Sequence, residues 1–370
     1  QGVAYSIWTY GLWGVLVFTF LVGLPLRRLA QYSGEMVYEG GTGIKKENKL
    51  LTPPDFFELR FPSRWVRGIS SIMLVLGLLL YAVGQMVGMS IALSFLGIDF
   101  GWGIIIYTVL IAWTTLRAGT PGVIVNDTIN MFTFVVAAFI LIPFALKSVG
   151  GIHQLVATTE AMSPGLWSNV GYQSSLFALI SYNLVWNFMT AGSPHLVQRA
   201  YTAKSEKIFL KAQVLGLLIV TVWCWLQWTS AMAGHVLLPE LVATNGDNVL
   251  PLLALNVLPR ILAGVVLAAI FAVGISTVNT QISNIAFGAA RDIYQELGRK
   301  NLTEAQLMRI TKIMVVAAIL VVAIFSWTRP GFIAELTTWG VAFYGACFLP
   351  MFIFGFFWRR TTTAGVLTGI

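Results

Sequence analysis

Residues 260–294 read RILAGVVLAAIFAVGISTVNTQISNIAFGAARDIY. The stretch begins apolar, carries uncharged polar side chains in its middle, and ends charged. Since about 20 residues of α-helix span a hydrocarbon core of roughly 30 Å, the pattern predicts a membrane-spanning helix with polar groups at depth. Ser276, Thr280 and Ser283 are spaced i, i+4 and i+7, which places three hydroxyls on one face. These hydroxyls bond to a neighbouring helix, return to the i−4 carbonyl of their own helix, or coordinate a cation.

The composition of the whole chain is that of a membrane protein. Hydrophobic residues make up 57% of its 370 residues and charged residues 10%, which excludes an ordinary soluble globular protein. The sequence therefore predicts an all-α integral membrane protein. Its nine spans are residues 8–29, 65–95, 102–117, 123–146, 172–192, 208–233, 260–294, 310–327 and 332–357, and a tenth begins at 364. Cys224 and Cys347 lie in apolar spans and are interpreted as buried free thiols.

The basic residues are distributed unequally between the two sides of these spans. All Lys and Arg residues except Lys147, Arg260 and Arg329 fall on one side. This pattern predicts a multi-pass protein of the cell membrane with cytoplasmic basic loops and Gln1 outside. It accounts for the net charge of +8 without a nucleic-acid partner. Because the chain begins at Gln1 and ends within an apolar segment, we expect a fragment of a longer protein.

One ionisable residue within the spans stands out as a functional candidate. Asp127 lies one turn inside span four, and charges at membrane depth are costly enough to indicate function by default. A carboxylate there fits an ion exit path, and it equally fits a helix N-terminal charge favoured by the macrodipole. No paired carboxylates, histidine cluster or Ser–His arrangement occurs in the spans, which argues against an embedded enzyme.

The fifth span is unusual because residues 181–194 read SYNLVWNFMTAGSP. Proline removes a backbone donor, and an interrupted helix is tolerated at membrane depth only where the freed groups line a cavity or lie buried in protein. The stretch predicts a broken helix beside a site or a kinked structural helix. Gln85 in span two and Tyr344 in span nine are further cavity candidates, although the small residues near them also fit close helix packing.

Four stretches together resemble the sodium:solute symporter family. Residues 51–57 (LTPPDFF) are similar to its LTLPDYF-like cytoplasmic loop, and residues 126–130 (NDTIN) to its TD-x-x-Q segment. Residues 275–281 with 291–294 resemble its MST…Q…DIY signature. Residues 193–199 (SPHLVQR) are similar to the PH-x-x-x-R ending of its broken helix. The stretches occur in the family's order and extend over nearly the whole chain.

The resemblance implies a LeuT-type fold, in which two five-helix inverted repeats enclose a midplane site. The nine spans would then be core helices two to ten of a single transporter domain over residues 1–370, without the first core helix. The resemblance assigns a coupling Na⁺ to the Val273 carbonyl and the hydroxyls of Ser276 and Thr277. It places Trp186, Asn187 and Thr190 in the substrate and gate stretch.

The resemblance also implies sodium-coupled symport of a small organic solute by alternating access. Sugar-transporting members use a Glu on the second core helix and a Lys on the seventh, and residues 8–24 and 214–233 contain no charged residue. A tyrosine that sugar and proline members often carry is replaced around Met189 and Thr190. A carboxylate, an amino acid or a vitamin-like acid is therefore expected. A proton-coupled relative and a transporter-like sensor module of a signalling protein are the alternatives.

Overall fold

A computed structural model describes residues 14–30, 50, 52–167, 176–298 and 301–370, and within these ranges the regular structure is helical, without strands. In chain order the helices are α1 (14–30, π-helical over Phe18–Gly23), α2 (Pro53–Arg60), α3 (Arg64–Ser94), α4 (Phe100–Ser148), α5 (Ile152–Met162), α6 (Leu176–Asn183), α7 (Pro194–Thr202), α8 (Glu206–Leu237), α9 (Pro239–Thr244), α10 (Val249–Val257), α11 (Arg260–Phe287), α12 (Glu304–Trp327), α13 (Ile333–Phe357) and α14 (Thr363–Gly369).

Seven stretches of the described chain are long and apolar enough to cross a membrane. They are α3, Phe100–Arg117 and Val125–Ser148 within α4, α8, α11 with its π-helical continuation to Leu297, α12 and α13. These stretches match the predicted spans two to four and six to nine. The predicted spans 8–29 and 172–192 lie partly outside the described residues. The protein is thus a multi-pass helical membrane protein.

The first half of α4 runs alongside α11 in the same direction. Tyr107 stacks against Phe271 with ring centroids 4.3 Å apart. About two turns later, the Thr114 hydroxyl lies 2.9 Å from Asn279 Oδ1. Both sets of residue numbers rise together, so the two segments are parallel.

The second half of α4 runs antiparallel to α11. Asp127 near its start contacts Ser276, whereas Leu141 near its end belongs to the same buried cluster as Ala263. The chain therefore reverses between the two halves, and the sequence prediction of two separate spans fits the contacts. The helical hydrogen-bonding pattern nevertheless extends through residues 118–122, between the two predicted spans.

The core is built around α3, which packs against α13 and α11. Glycines permit this close packing, because a Cβ on Gly340 would lie 2.9 Å from the Gly77 carbonyl oxygen. The small residues near Tyr344 therefore serve helix packing, one of the two readings that the sequence left open. Cys224 and Cys347 are buried and free, which confirms their interpretation.

The predicted break in the fifth span is present. After α6 the chain is π-helical over Leu184–Phe188 and 3₁₀-helical over Met189–Gly192. Ser193 is extended, with ψ 127°, and Pro194 begins α7 as its first residue. Proline fits the first helical position because no intrahelical acceptor is available to an N–H there.

The segments between the predicted spans contain short helices that the sequence analysis did not predict. The stretch 51–57 leads into α2, where Thr52 and Asp55 form a capping box before a Pro-initiated turn. Between the fourth and fifth predicted spans lies α5, and between the sixth and seventh lie α9 and α10. These helices are too short to produce a clear apolar periodicity, which is the signal that detects spans.

Candidate ion and substrate site

Asp127 lies at the meeting point of three elements. Its Oδ1 accepts a hydrogen bond from the Ser276 hydroxyl at 2.8 Å, and its Oδ2 accepts one from Thr280 at 3.3 Å. Arg199 of α7 forms an ion pair with the same carboxylate at 2.6 Å. The structure thus joins the Asp127 and Ser276 candidates, which are distant in sequence, into one cluster of oxygen atoms.

The hydroxyls of α11 do not all point the same way. Thr277 Oγ1 donates to the Val273 carbonyl at 3.0 Å, and Ser283 Oγ donates to the Asn279 carbonyl at 2.8 Å. Both follow the i−4 bonding of a membrane-helix hydroxyl. Ser283 therefore does not join Ser276 and Thr280 in facing Asp127, and the predicted trio of hydroxyls divides.

The Thr277 contact places two of the candidate sodium ligands side by side. A hydroxyl that donates its proton keeps its lone pairs available for another partner. The Thr277 hydroxyl donates to the Val273 carbonyl, and the Ser276 hydroxyl donates to the Asp127 carboxylate. Each hydroxyl oxygen therefore keeps lone pairs for a further partner. Oxygen atoms of this kind are the ligands that hard cations prefer.

Asn279 is a site neighbour that sequence reasoning did not single out. It is buried, and its Oδ1 accepts from the hydroxyls of both Thr114 and Thr115, at 2.9 and 3.1 Å. It fastens the first half of α4 to α11, next to the Asp127 cluster. Arg199 was noticed only as part of a motif, and its pairing with Asp127 spans 72 residues, so no local pattern could reveal it.

A cavity of about 430 Å³ lies between α3, the second half of α4, α8, α10, α11 and α13. Its walls are mostly apolar, with Gln85, Gln227 and Asp247 among the polar exceptions. Two candidates, Gln85 and Val273, line it together. A mostly apolar cavity with a few converging polar groups is the usual form of a small-molecule site.

Asp247 is a charged residue that lines this cavity. Its Oδ2 accepts from the backbone N–H of Ile333 at 3.2 Å, which ties the segment after α9 to the start of α13. Burial raises the pKa of Asp247, the Ile333 N–H acts in the opposite direction, and the charge of Glu335 adds to the rise.

The remaining substrate candidates lie on the broken segment and against α13. Trp186 Nε1 donates to the Thr338 hydroxyl at 3.2 Å, and the Thr190 hydroxyl turns back to the Val185 carbonyl at 3.4 Å. Tyr344 is fully buried and accepts a hydrogen bond from Ser193 at 3.2 Å. These candidates do not line the cavity that holds Gln85.

Asn187 is buried with one hydrogen-bonding group unused. Its Nδ2 donates to Asn183 Oδ1 at 2.9 Å, while its own Oδ1 has no partner among the described residues. Buried polar atoms are normally paired, so a free acceptor on a broken helix indicates a place where a donor can be received.

A second cluster of charges closes the basic end of the bundle. Arg67 of α3 contacts Asp55 of α2 at 2.8 Å and Asp292 at 2.7 Å, and it also pairs with Glu58. Arg291 reaches Asp55 at 2.7 Å. The cluster joins α2 to the π-helical end of α11, and it links the two stretches that resemble the LTLPDYF-like loop and the DIY signature.

The family model described as the sodium:solute symporter family matches residues 1–370. The chain is 26% identical over 342 residues to the high-affinity proline transporter PutP of Bacillus subtilis, covering 89% of this chain and 70% of that protein. It is 24% identical over 339 residues to the sodium/pantothenate symporter of Escherichia coli, covering 88% and 68%.

A solved structure shows the same fold. It is a substrate-bound, outward-open state of a Na⁺-coupled sialic acid symporter, and it aligns with a TM-score of 0.69 over 98% of this chain and 79% of that one. The sequence identity is 20%.

Proposed function

Because the chain belongs to the sodium:solute symporter family, a family of transporters, we propose that it couples sodium entry to the uptake of a small organic solute by alternating access. Sodium moving inward releases about 2.3 kcal/mol per elementary charge per 100 mV. A bound ion shifts a conformational equilibrium only by its different affinities for the two states. The transporter must therefore bind sodium more tightly in its outward-facing state.

The observation that carries the proposal is the convergence of oxygens on one stretch of α11. The Val273 carbonyl and the hydroxyls of Ser276 and Thr277 are the proposed sodium ligands. All three residues are half-buried within a membrane-crossing helix, and the hydrogen bonds from Thr277 to Val273 and from Ser276 to Asp127 orient the hydroxyls. Carbonyl and hydroxyl oxygens at membrane depth are the usual sodium ligands of transporters with broken helices.

Asp127 is the next residue that an ion leaving the proposed sodium site would contact. The Ser276 hydroxyl, one of the proposed sodium ligands, donates directly to the Asp127 carboxylate and so connects the two. We assign Asp127 to the ion exit path toward the basic end. Arg199, which holds this carboxylate by an ion pair, would compete with the passing ion.

Trp186, Asn187, Thr190, Gln85 and Tyr344 are proposed as the substrate-binding side chains. The free Asn187 Oδ1 and the cavity beside Gln85 support this assignment. The solutes named for similar proteins are proline, pantothenate and sialic acid, all of which carry a carboxylate. We propose a small carboxylate or amino acid as the substrate, with the basic loops of the protein in the cytoplasm.

The test is radiolabel uptake of a panel of small organic acids by membrane vesicles at graded sodium concentrations. Thr277→Val removes one proposed ligand and keeps the shape of the side chain. We expect it to raise the sodium concentration needed for half-maximal uptake roughly tenfold, from the loss of about 1.5 kcal/mol of ligand interaction. Solute affinity at saturating sodium should change little.

Ser283→Ala is the matched control, because this hydroxyl lies on the same helix and, within the described part of the chain, bonds to its own backbone. Its sodium dependence should equal that of the unaltered protein. An unchanged sodium dependence in Thr277→Val would refute the site. Full uptake with choline in place of sodium would favour the proton-coupled alternative, with Asp127 as the titrating group.

A further inference from the structure

A groove of about 750 Å³ lies between the first half of α4 and α12, at the basic end of the bundle. Arg117 ends the first half of α4 and Arg309 lies near the start of α12, so the two helices run in opposite directions along the groove. Lys312 adds a third cation. The groove thus has a cationic end at the level where two membrane-crossing segments meet the interface.

The rest of the groove is apolar, and its order along α12 is regular. Arg309, Lys312, Val316 and Leu320 follow one another at spacings of three, four and four residues, which places them on one helix face. Leu320 lies about 12 Å further along the axis than Lys312, at 1.5 Å per residue. The face therefore begins with charge and continues with aliphatic side chains toward the membrane interior.

The aliphatic part of this face is not covered by protein. Ile313 is 58% exposed, Val316 42% and Leu320 50%. In a helix that crosses the membrane, such a surface contacts acyl chains. The groove consequently opens toward lipid, with its cationic end at the headgroup level.

The three cations have no acidic partner among the residues that the structure describes. Arg117, Arg309 and Lys312 are exposed and form no ion pair there. By contrast, Arg67 and Arg291 at the same end of the bundle pair with carboxylates. Guanidinium groups match the geometry of phosphate oxygens and an ammonium group binds them as a point charge, so the groove offers charge complementarity to a phosphate.

We propose that this groove binds one anionic phospholipid of the leaflet at the basic end of the bundle. Its phosphate contacts Arg117, Arg309 and Lys312, and an acyl chain lies along Val316 and Leu320. Basic pockets between membrane helices commonly receive anionic headgroups in this way. The bound lipid bridges α12 to the half of α4 that Thr114 fastens to α11, and its binding does not depend on which solute or ion is carried.

The experiment is native mass spectrometry of the purified protein in mild detergent, with phosphatidylglycerol or phosphatidylcholine of identical acyl chains added. We expect one phosphatidylglycerol to be retained at concentrations where phosphatidylcholine is not. Arg309→Gln combined with Lys312→Gln should weaken its retention roughly tenfold. The charge-preserving pair Arg309→Lys with Lys312→Arg should keep it.

A matched control exists on α8, where Lys207 and Lys211 line a groove whose walls all belong to that one helix. Lys207→Gln with Lys211→Gln removes the same charge at the same end of the bundle. We expect retention to stay unchanged, since no second helix supplies a third cation there. An equal loss in this control would show diffuse attraction and overturn the proposal.

Three further outcomes would also overturn it. They are unchanged retention in the Arg309→Gln, Lys312→Gln variant, equal retention of phosphatidylcholine, and full displacement by inorganic phosphate, which would make the groove a free-anion site. Val316→Phe keeps all three cations and fills the apolar part, so it should also weaken phosphatidylglycerol retention. This second variant tests the groove if the charge variant does not fold.

Discussion

At the scale of single residues, the hydroxyls of α11 show how similar side chains acquire different partners. Ser276 and Thr280 donate to Asp127, whereas Thr277 and Ser283 donate to their own helix. The sequence places them on helix faces by spacing alone. It does not predict the partner, because the i−4 carbonyl is always within reach and competes with a carboxylate that is 149 residues away from Ser276.

Replacement of Asp127 tests its proposed role in the ion path. Asp127→Asn retains an oxygen acceptor for the Ser276 hydroxyl but loses the charge that pairs with Arg199. Loss of a charge-assisted interaction costs about 1.5–3 kcal/mol, so we expect sodium-driven uptake to need roughly 10- to 100-fold more sodium. The measurement is initial uptake rate at graded sodium concentrations and constant ionic strength.

Asp99→Asn provides the comparison for that variant. Asp99 caps the start of α4 by accepting from Gly101 N–H at 2.8 Å, and asparagine caps a helix equally well. Its sodium dependence should not change. Sodium dependence in Asp127→Asn that matched Asp99→Asn would remove Asp127 from the ion path.

At the scale of elements, the sequence predicted the seven spans that the structure describes and the break between α6 and α7, but not the short helices. The break can be predicted from the sequence because proline and glycine act on the local backbone, at residues 192–194. The contact of α2 with the end of α11 cannot be predicted from the sequence, since Asp55 and Arg291 are 236 residues apart. Their stretches carried the family resemblance separately, and only the fold shows that they touch.

Arg67 is the centre of that contact, and its removal should destabilise the fold. Arg67→Met leaves the fully buried Asp292 with a weaker set of partners. Breaking a buried ion pair from one side costs about 3–5 kcal/mol, so we expect a clearly lower thermal unfolding midpoint in detergent. Adding Asp292→Asn should recover part of the loss, because the uncompensated charge is then gone.

Arg64→Met, one turn earlier on the same helix, is the control, since Arg64 is exposed and lies over the Trp65 ring. Its unfolding midpoint should remain near that of the unaltered protein. If Arg67→Met were as stable as this control, the buried cluster would contribute little to holding α2 in place.

At the scale of the whole molecule, charge distribution predicts the orientation of the protein in the membrane. Cysteines introduced at Thr328 and Arg360 would report opposite ends, and both positions are exposed. With an impermeant maleimide on intact cells, we expect Thr328→Cys to react and Arg360→Cys to react only after permeabilisation. The native Cys224 and Cys347 are buried and should stay unlabelled. Labelling in the reverse order would invert the topology.

In the charged cluster at the basic end of the bundle, single residues take part in several ion pairs. The loss of one ion pair therefore weakens the neighbouring ones. Arg67 pairs with Asp55, Glu58 and Asp292, and Arg291 also pairs with Asp55. We therefore expect α2 to separate from the end of α11 cooperatively, so that forms in which only some of these contacts are broken are sparsely populated.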